Sequence, residues 1–229
     1  MPIPEKYLAE FEEAGIYHIY NRTNNNEKLF ITNENRLFFL RKYKEILSSF
    51  TGTYCWCLLP NHFHLLIKIK TKNELINYLQ AKPQTTLTIT EKKFLKSADL
   101  LKAGSADVTF SELIEQTFKR FFQSYALAFN KQHDRKGNLF YKPFKRVRIK
   151  KDSQFTMAVI YIHVNAAKHK LVKEFATYPW SSWQSIISSQ VTSLLKDEVI
   201  DWFGNLETCL RTHKELAEYY YNCDIAIEE

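Results

Sequence analysis

The chain has no long apolar segment. Its 229 residues contain no run of eighteen apolar residues, and the opening MPIPEKYLAEFEEAG carries acidic residues without an apolar core. A membrane-spanning helix needs about 20 apolar residues, and a secretory signal needs a short apolar region behind basic residues. We therefore expect no membrane segment and no signal peptide, and we predict a cytoplasmic location.

The cysteines lack the spacing of a redox or zinc motif. The four are Cys55, Cys57, Cys209 and Cys223, and none of them forms a C-x-x-C pair. A chain of this length with 45% hydrophobic residues does not need disulfides to hold its core together. Packing is the predicted role of all four, with a metal pair at Cys55 and Cys57, which share one face of a strand, as the alternative.

Positive charge is concentrated in one stretch. The formal net charge is +7, and residues 131–151 interleave lysine and arginine with Phe140, Tyr141 and Phe144. Cations mixed with aromatic rings suit a phosphate backbone with unstacked bases. The alternative is an edge strand protected by charged side chains. The predicted contacts to nucleic acid in this stretch are Lys142, Lys145, Arg146, Arg148, Lys150 and Lys151.

The order of periodic segments predicts an α+β fold. Strands alternate at period two and helices repeat apolar residues at period 3.6. The predicted elements are strands at 15–23, 51–60, 62–70 and 144–150, helices at 32–50, 71–81, 110–132 and 152–172, and two short helices after Ser193. This order is that of a ferredoxin-like or RRM-like two-layer sandwich, with an antiparallel sheet and helices on one face. We predict one domain over 1–172, with a possible insertion at about 83–108, and a C-terminal helical extension over 173–229.

Two histidines interrupt an apolar strand in LLPNHFHLLIKIK. His62 and His64 stand at i and i+2, so both side chains leave one face while Phe63 points into the core. Two imidazoles placed in this way can bind one ion. The alternative is a pair of hydrogen-bonded histidines on a half-exposed face.

A second set of polar residues lies on the helix VIYIHVNAAKH. Tyr161, Asn165 and His169 follow one another at intervals of four, so they share one face. A phenol, with an ordinary pKa near 10, becomes a useful nucleophile where a cation lowers that pKa, and an amide oxygen one turn away can be a further ligand to the cation. The alternative for Tyr161 is a tyrosine that only packs.

The combination resembles a known family. The segments NRTNNNEKLF, YCWCLLPNHFHLLIK, FNKQHDRKGNLFYKPFKRVRI and YIHVNAAKHKLV occur in the order found in IS200-like tyrosine transposases of the HUH (His-hydrophobic-His) superfamily, and are most similar to the REP-associated branch. The resemblance covers about residues 13–172, so the predicted domain over 1–172 would be the catalytic domain.

The resemblance implies a single-stranded DNA nickase and strand transferase that forms a 5′-phosphotyrosine on hairpin DNA. It implies that His62 and His64 bind Mg²⁺ or Mn²⁺, that Asn165 is a third ligand, and that Tyr161 is the nucleophile. Arg22 and His18 on the first strand are expected to border the same face, and Arg22 is expected to be a further contact to DNA. The implied setting is the bacterial cytoplasm or nucleoid, with the protein a monomer or homodimer.

Two other functions remain open from the sequence. One is a single-stranded nucleic-acid-binding module with the same fold and no turnover. The other is a metal-dependent phosphodiesterase in which water, not Tyr161, attacks the phosphate.

Overall fold

The structure, a computed structural model, describes residues 7–24, 27–98 and 108–222. Within these ranges the chain forms four strands and eight helices, together with two 3-10 turns at Gln84–Thr86 and Phe175–Thr177. The strands are β1 (Ile16–Arg22), β2 (Thr51–Leu58), β3 (His62–Ile69) and β4 (Lys145–Ile149). The helices are α1 (Asn33–Leu47), α2 (Lys72–Gln80), α3 (Ile89–Ala98), α4 (Phe110–Gln132), α5 (Asp152–Lys168), α6 (Trp183–Ile187), α7 (Lys196–Trp202) and α8 (Leu206–Asn222).

Helix starts follow the capping residues in the sequence. Thr32, Thr71 and Thr109 precede α1, α2 and α4, and each side chain accepts a hydrogen bond from the backbone amide three residues on. Such caps satisfy amides that have no partner inside the helix. The segment predicted as a possible insertion contains α3, and residues 99–107 of that prediction lie outside the described residues.

The four strands form one antiparallel sheet in the order β2-β3-β1-β4. This confirms the predicted α+β class and the β2–β3 hairpin. The turn between these two strands is fixed from several sides, because the amides of Leu29 and Phe30 both donate to the Pro60 carbonyl and that of Thr23 donates to the Asn61 carbonyl. The turn before His62 is therefore held by backbone hydrogen bonds from two other segments of the chain.

The layering differs from the prediction that helices lie on one face. Helices α1 and α4 pack against one face of the sheet, where Phe63 and Tyr17 are fully buried. Helices α5 and α8 form a second core on the other face, against Cys57 and Leu66 of the sheet. The reason lies in α5, whose residues are buried without a break from Ala158 to Ala167, because it lies between the sheet and the C-terminal helices.

The C-terminal segment also closes an edge of the sheet. The Ser182 amide donates to the Trp56 carbonyl, and the Leu195 amide donates to the Thr53 carbonyl. Phe175 and Trp183 are buried in the same core as α5. An uncovered edge strand exposes backbone groups that pair with other chains, so this segment protects β2.

The cysteines in the described residues are free thiols that pack in the core. Cys55, Cys57 and Cys209 are all fully buried, and the first two share a face as predicted. Burial raises the pKa of the Cys55 and Cys57 thiols and raises the pKa of Cys209 to about 11. Cys223 lies outside the described residues. Among the helices that the structure describes, none is long and apolar enough to cross a membrane.

Candidate active site

The histidine pair lies on the α5 side of the sheet. The rings of His62 and His64 are 5.1 Å apart between centroids and nearly perpendicular, at 87°. His64 is fully buried and His62 is half-buried, while Phe63 between them points into the opposite core. The predicted placement of both imidazoles on one face is confirmed.

Polar residues of α5 and of its C-terminal end lie against this pair of histidines. The Tyr161 ring lies 5.6 Å from the His64 ring, and the His169 ring lies 4.9 Å from the His62 ring. Asn165 is one turn from each of them on the same helix face and is fully buried. Along the helix, Asn165 therefore lies between the two residues whose rings contact His64 and His62.

Lys168, which was not predicted from the sequence as a site residue, lies beside Tyr161. The Lys168 ammonium lies 5.1 Å from the centroid of the Tyr161 ring. The signal for it was available in the sequence, because residues seven apart on a helix lie two turns apart on one face. This contact puts a positive charge next to the phenol.

The first strand contributes two further rings. His18 Nε2 lies 2.9 Å from His64 Nδ1, and the Tyr20 ring lies 4.9 Å from that of His18 and 5.6 Å from that of His64. His18 therefore borders the histidine face, as predicted. The role of Tyr20 was missed, because it depends on the register that pairs Tyr20 with His64 across the sheet.

The donor atoms suit a divalent cation only when the amide is included. In the part of the chain that the structure describes, no three His, Cys, Asp or Glu side chains are grouped so that they could hold a metal ion. Two imidazoles and the Asn165 amide would supply nitrogen and oxygen donors that carry no charge when the rings are neutral. A cation held in this way keeps its full charge for an anionic ligand.

Two of the predicted cationic residues lie on the histidine face. Arg22 is opposite His62 across β1 and β3, and its guanidinium lies 5.0 Å above the Tyr141 ring. Lys145 is opposite Tyr20, with its ammonium 5.4 Å from the centroid of the Tyr20 ring. Both charges are thus near the histidine pair.

Arg146 and Arg148, which were predicted to contact nucleic acid, do not lie on the histidine face. Because side chains alternate along β4, these two point to the other face of the sheet. Arg146 is 7% exposed, and its guanidinium donates to the Ala9 carbonyl and to the Glu115 carboxylate. Arg148 forms an ion pair with Glu12. Arg146 is therefore a buried residue that stabilises the fold. Arg148 forms its ion pair on the face of the sheet opposite the histidines.

The remaining predicted cations are exposed but separated. Lys150 and Lys151 follow the far end of β4, and Lys150 is roughly 17 Å along the chain from Lys145 at 3.3 Å per residue. Lys142 lines a cleft of about 750 Å³ between α4 and residues 137–144. These three stay predictions as contacts to nucleic acid.

The comparisons with known proteins give one structural likeness. No protein-family model matches the chain, and no curated protein matches its sequence. A solved structure of a REP-associated tyrosine transposase bound to a REP hairpin matches it with a TM-score of 0.52 and 15% identity, covering 79% of this chain and 84% of that chain. At this identity the likeness supports the fold, and it agrees with the predicted class.

Proposed function

We propose that this protein is a metal-dependent single-stranded DNA nickase and strand transferase, a tyrosine transposase acting on REP-like hairpins. The observation that carries the proposal is the packing of α5 on β3, in which Tyr161 contacts His64 and His169 contacts His62, with Asn165 between them. The fold shared with a transposase bound to a REP hairpin adds support.

Tyr161 is the proposed nucleophile. Its phenolic oxygen attacks the scissile phosphorus, the bond from phosphorus to the 3′ oxygen breaks, and the 5′ phosphate remains on the tyrosine. The phenolic proton passes to solvent, and the departing 3′ oxygen takes up a proton to become a hydroxyl. Attack by a 3′-hydroxyl on the phosphotyrosine reverses these events and joins strands, so no nucleotide cofactor is needed.

His62, His64 and Asn165 are the proposed ligands of Mn²⁺ or Mg²⁺. When bound there, the cation would polarise the phosphate oxygens and neutralise charge in the transition state. Of these two ions, Mn²⁺ accepts imidazole nitrogen more readily, because Mg²⁺ takes mainly oxygen ligands. Lys168 adds a positive charge beside Tyr161, and Arg22 and Lys145 offer charges to the DNA backbone.

The test is a covalent adduct. Incubation with Mn²⁺ and single-stranded hairpin DNA is expected to give an SDS-resistant complex that EDTA prevents and that Tyr161→Phe abolishes. Tyr219→Phe, at an exposed position on α8, is the matched control and keeps the adduct.

Two results would reject the proposal. Cleavage that survives in Tyr161→Phe means that water is the nucleophile. Binding of hairpins without a nick or adduct under any metal condition means that the protein is a binding module.

A further inference from the structure

In both His62 and His64, Nδ1 is the ring nitrogen that forms a hydrogen bond with a neighbouring side chain. His62 Nδ1 lies 2.7 Å from Asn61 Oδ1, and His64 Nδ1 lies 2.9 Å from His18 Nε2. A cation between the two rings would therefore be bound through Nε2 of each. This requires that both rings be neutral and carry their proton on Nδ1.

The hydrogen-bond partner fixes this tautomer at His62, and the partner of His64 is compatible with it. An amide oxygen only accepts hydrogen bonds, so Asn61 Oδ1 requires a proton on His62 Nδ1. At His64 the same tautomer makes Nδ1–H the donor and His18 Nε2 the acceptor, which puts the proton of His18 on its own Nδ1. We infer that Asn61 and His18 are positioning residues that hold His62 and His64 in the tautomer and orientation needed to bind a cation through Nε2. This inference rests on the proposed function.

His18 is held more firmly than Asn61. It is 3% exposed, and its ring lies 27° from the plane of the His64 ring with the centroids 5.0 Å apart, so the bond runs edge to edge. The Tyr20 ring lies against both imidazoles. A buried hydrogen bond in a polarisable cluster is stronger than one exposed to water. Asn61 is half-buried in the turn before β3, so its loss should have the smaller effect.

The first test measures Mn²⁺ affinity of the full-length chain without DNA, from the electron paramagnetic resonance signal of unbound Mn²⁺. His18→Ala is expected to weaken binding about 10- to 100-fold, the range for partners of ligand histidines. His18→Gln, which can put an acceptor oxygen near the position of Nε2, should recover part of the loss. Asn61→Ala should weaken binding less than His18→Ala does.

The chain supplies a matched control. His163 Nδ1 and His213 Nε2 form a second buried pair of imidazoles 3.0 Å apart, on the α8 side of α5. His213→Gln disrupts that pair and should lower thermal stability while leaving the Mn²⁺ affinity unchanged. A general loss of packing would instead lower the affinity in both variants.

The second test needs no substitution. Long-range ¹H–¹⁵N NMR spectra of the unaltered chain report which nitrogen carries the proton, and we expect Nδ1–H in both His62 and His64. The Nε2–H tautomer in either ring overturns the inference, and so does a folded His18→Ala whose Mn²⁺ affinity is within twofold of the parent.

The outcomes separate this inference from the proposed function. If the parent protein binds Mn²⁺ and forms the DNA adduct while His18→Ala does both equally well, the positioning role alone is rejected. If the parent binds no Mn²⁺, both are rejected.

Discussion

At the scale of single residues, the buried His163 and His213 illustrate how burial fixes a protonation state. A directed chain of hydrogen bonds runs from the Ser182 hydroxyl to His163 Nε2, from His163 Nδ1 to His213 Nε2, and from His213 Nδ1 to the Cys209 carbonyl. Each ring is a donor at one nitrogen and an acceptor at the other, which requires both to be neutral. Burial lowers the pKa of His163 far below its usual value and that of His213 to about 4.

This pair predicts a loss of stability in mild acid. The unfolded chain binds a proton at position 213 below about pH 6.5, whereas the folded chain resists it down to about pH 4, so the free energy of unfolding falls as the pH drops through this window. Between pH 7.5 and 5 the loss from His213 is about 2 kcal/mol, from 1.36 kcal/mol per pKa unit.

Urea denaturation at pH 7.5 and pH 5 measures this effect. The parent protein should lose more stability than His213→Gln does over that interval. An equal pH dependence in the parent and His213→Gln would show that His213 is protonated in the folded state.

At the scale of elements, side chains alternate between the two faces of β4, so that some of its basic residues are buried in the fold and others are exposed. Arg146→Ala removes hydrogen bonds from a buried guanidinium to the Ala9 carbonyl and the Glu115 carboxylate. We expect it to lower the free energy of unfolding by about 2 kcal/mol or more, the range for bonds to charged groups. Lys150→Ala, at an exposed position, should change it by less than about 0.5 kcal/mol. Equal urea midpoints for the two variants would contradict this assignment.

The same elements show what the sequence could and could not predict. The strands and helices could be predicted from the spacing of apolar residues and from capping residues such as Thr109. The placement of His62 and His64 on one face could be predicted because side chains alternate along a strand. The resemblance implied that His18 borders the histidine face, but its hydrogen bond to His64 depends on the register between β1 and β3, which the periods do not determine. The second helical layer was missed although its signal was present, since the apolar run around Ile160 covers every side of α5 and a helix apolar all round is buried all round.

At the scale of the whole molecule, the C-terminal segment completes the fold on which the site depends. Residues 173–222 cover the outer side of α5 and pair with the edge of β2. A chain ending after Val172 should therefore lose the cooperative thermal transition of the full chain, because it exposes the apolar side of α5 and the backbone of β2. Circular dichroism on heating measures this. A cooperative transition of the shortened chain at the parent's midpoint would show that residues 1–172 fold independently of the C-terminal segment.

In the proposed function, one β-strand and one distant helix together hold a divalent cation beside a tyrosine. Anomalous X-ray scattering from crystals grown with Mn²⁺ locates the ion directly. We expect a peak at bonding distance from Nε2 of His62, Nε2 of His64 and the side-chain oxygen of Asn165, next to the Tyr161 hydroxyl. A peak elsewhere, or no peak at these atoms in crystals saturated with Mn²⁺, would contradict it.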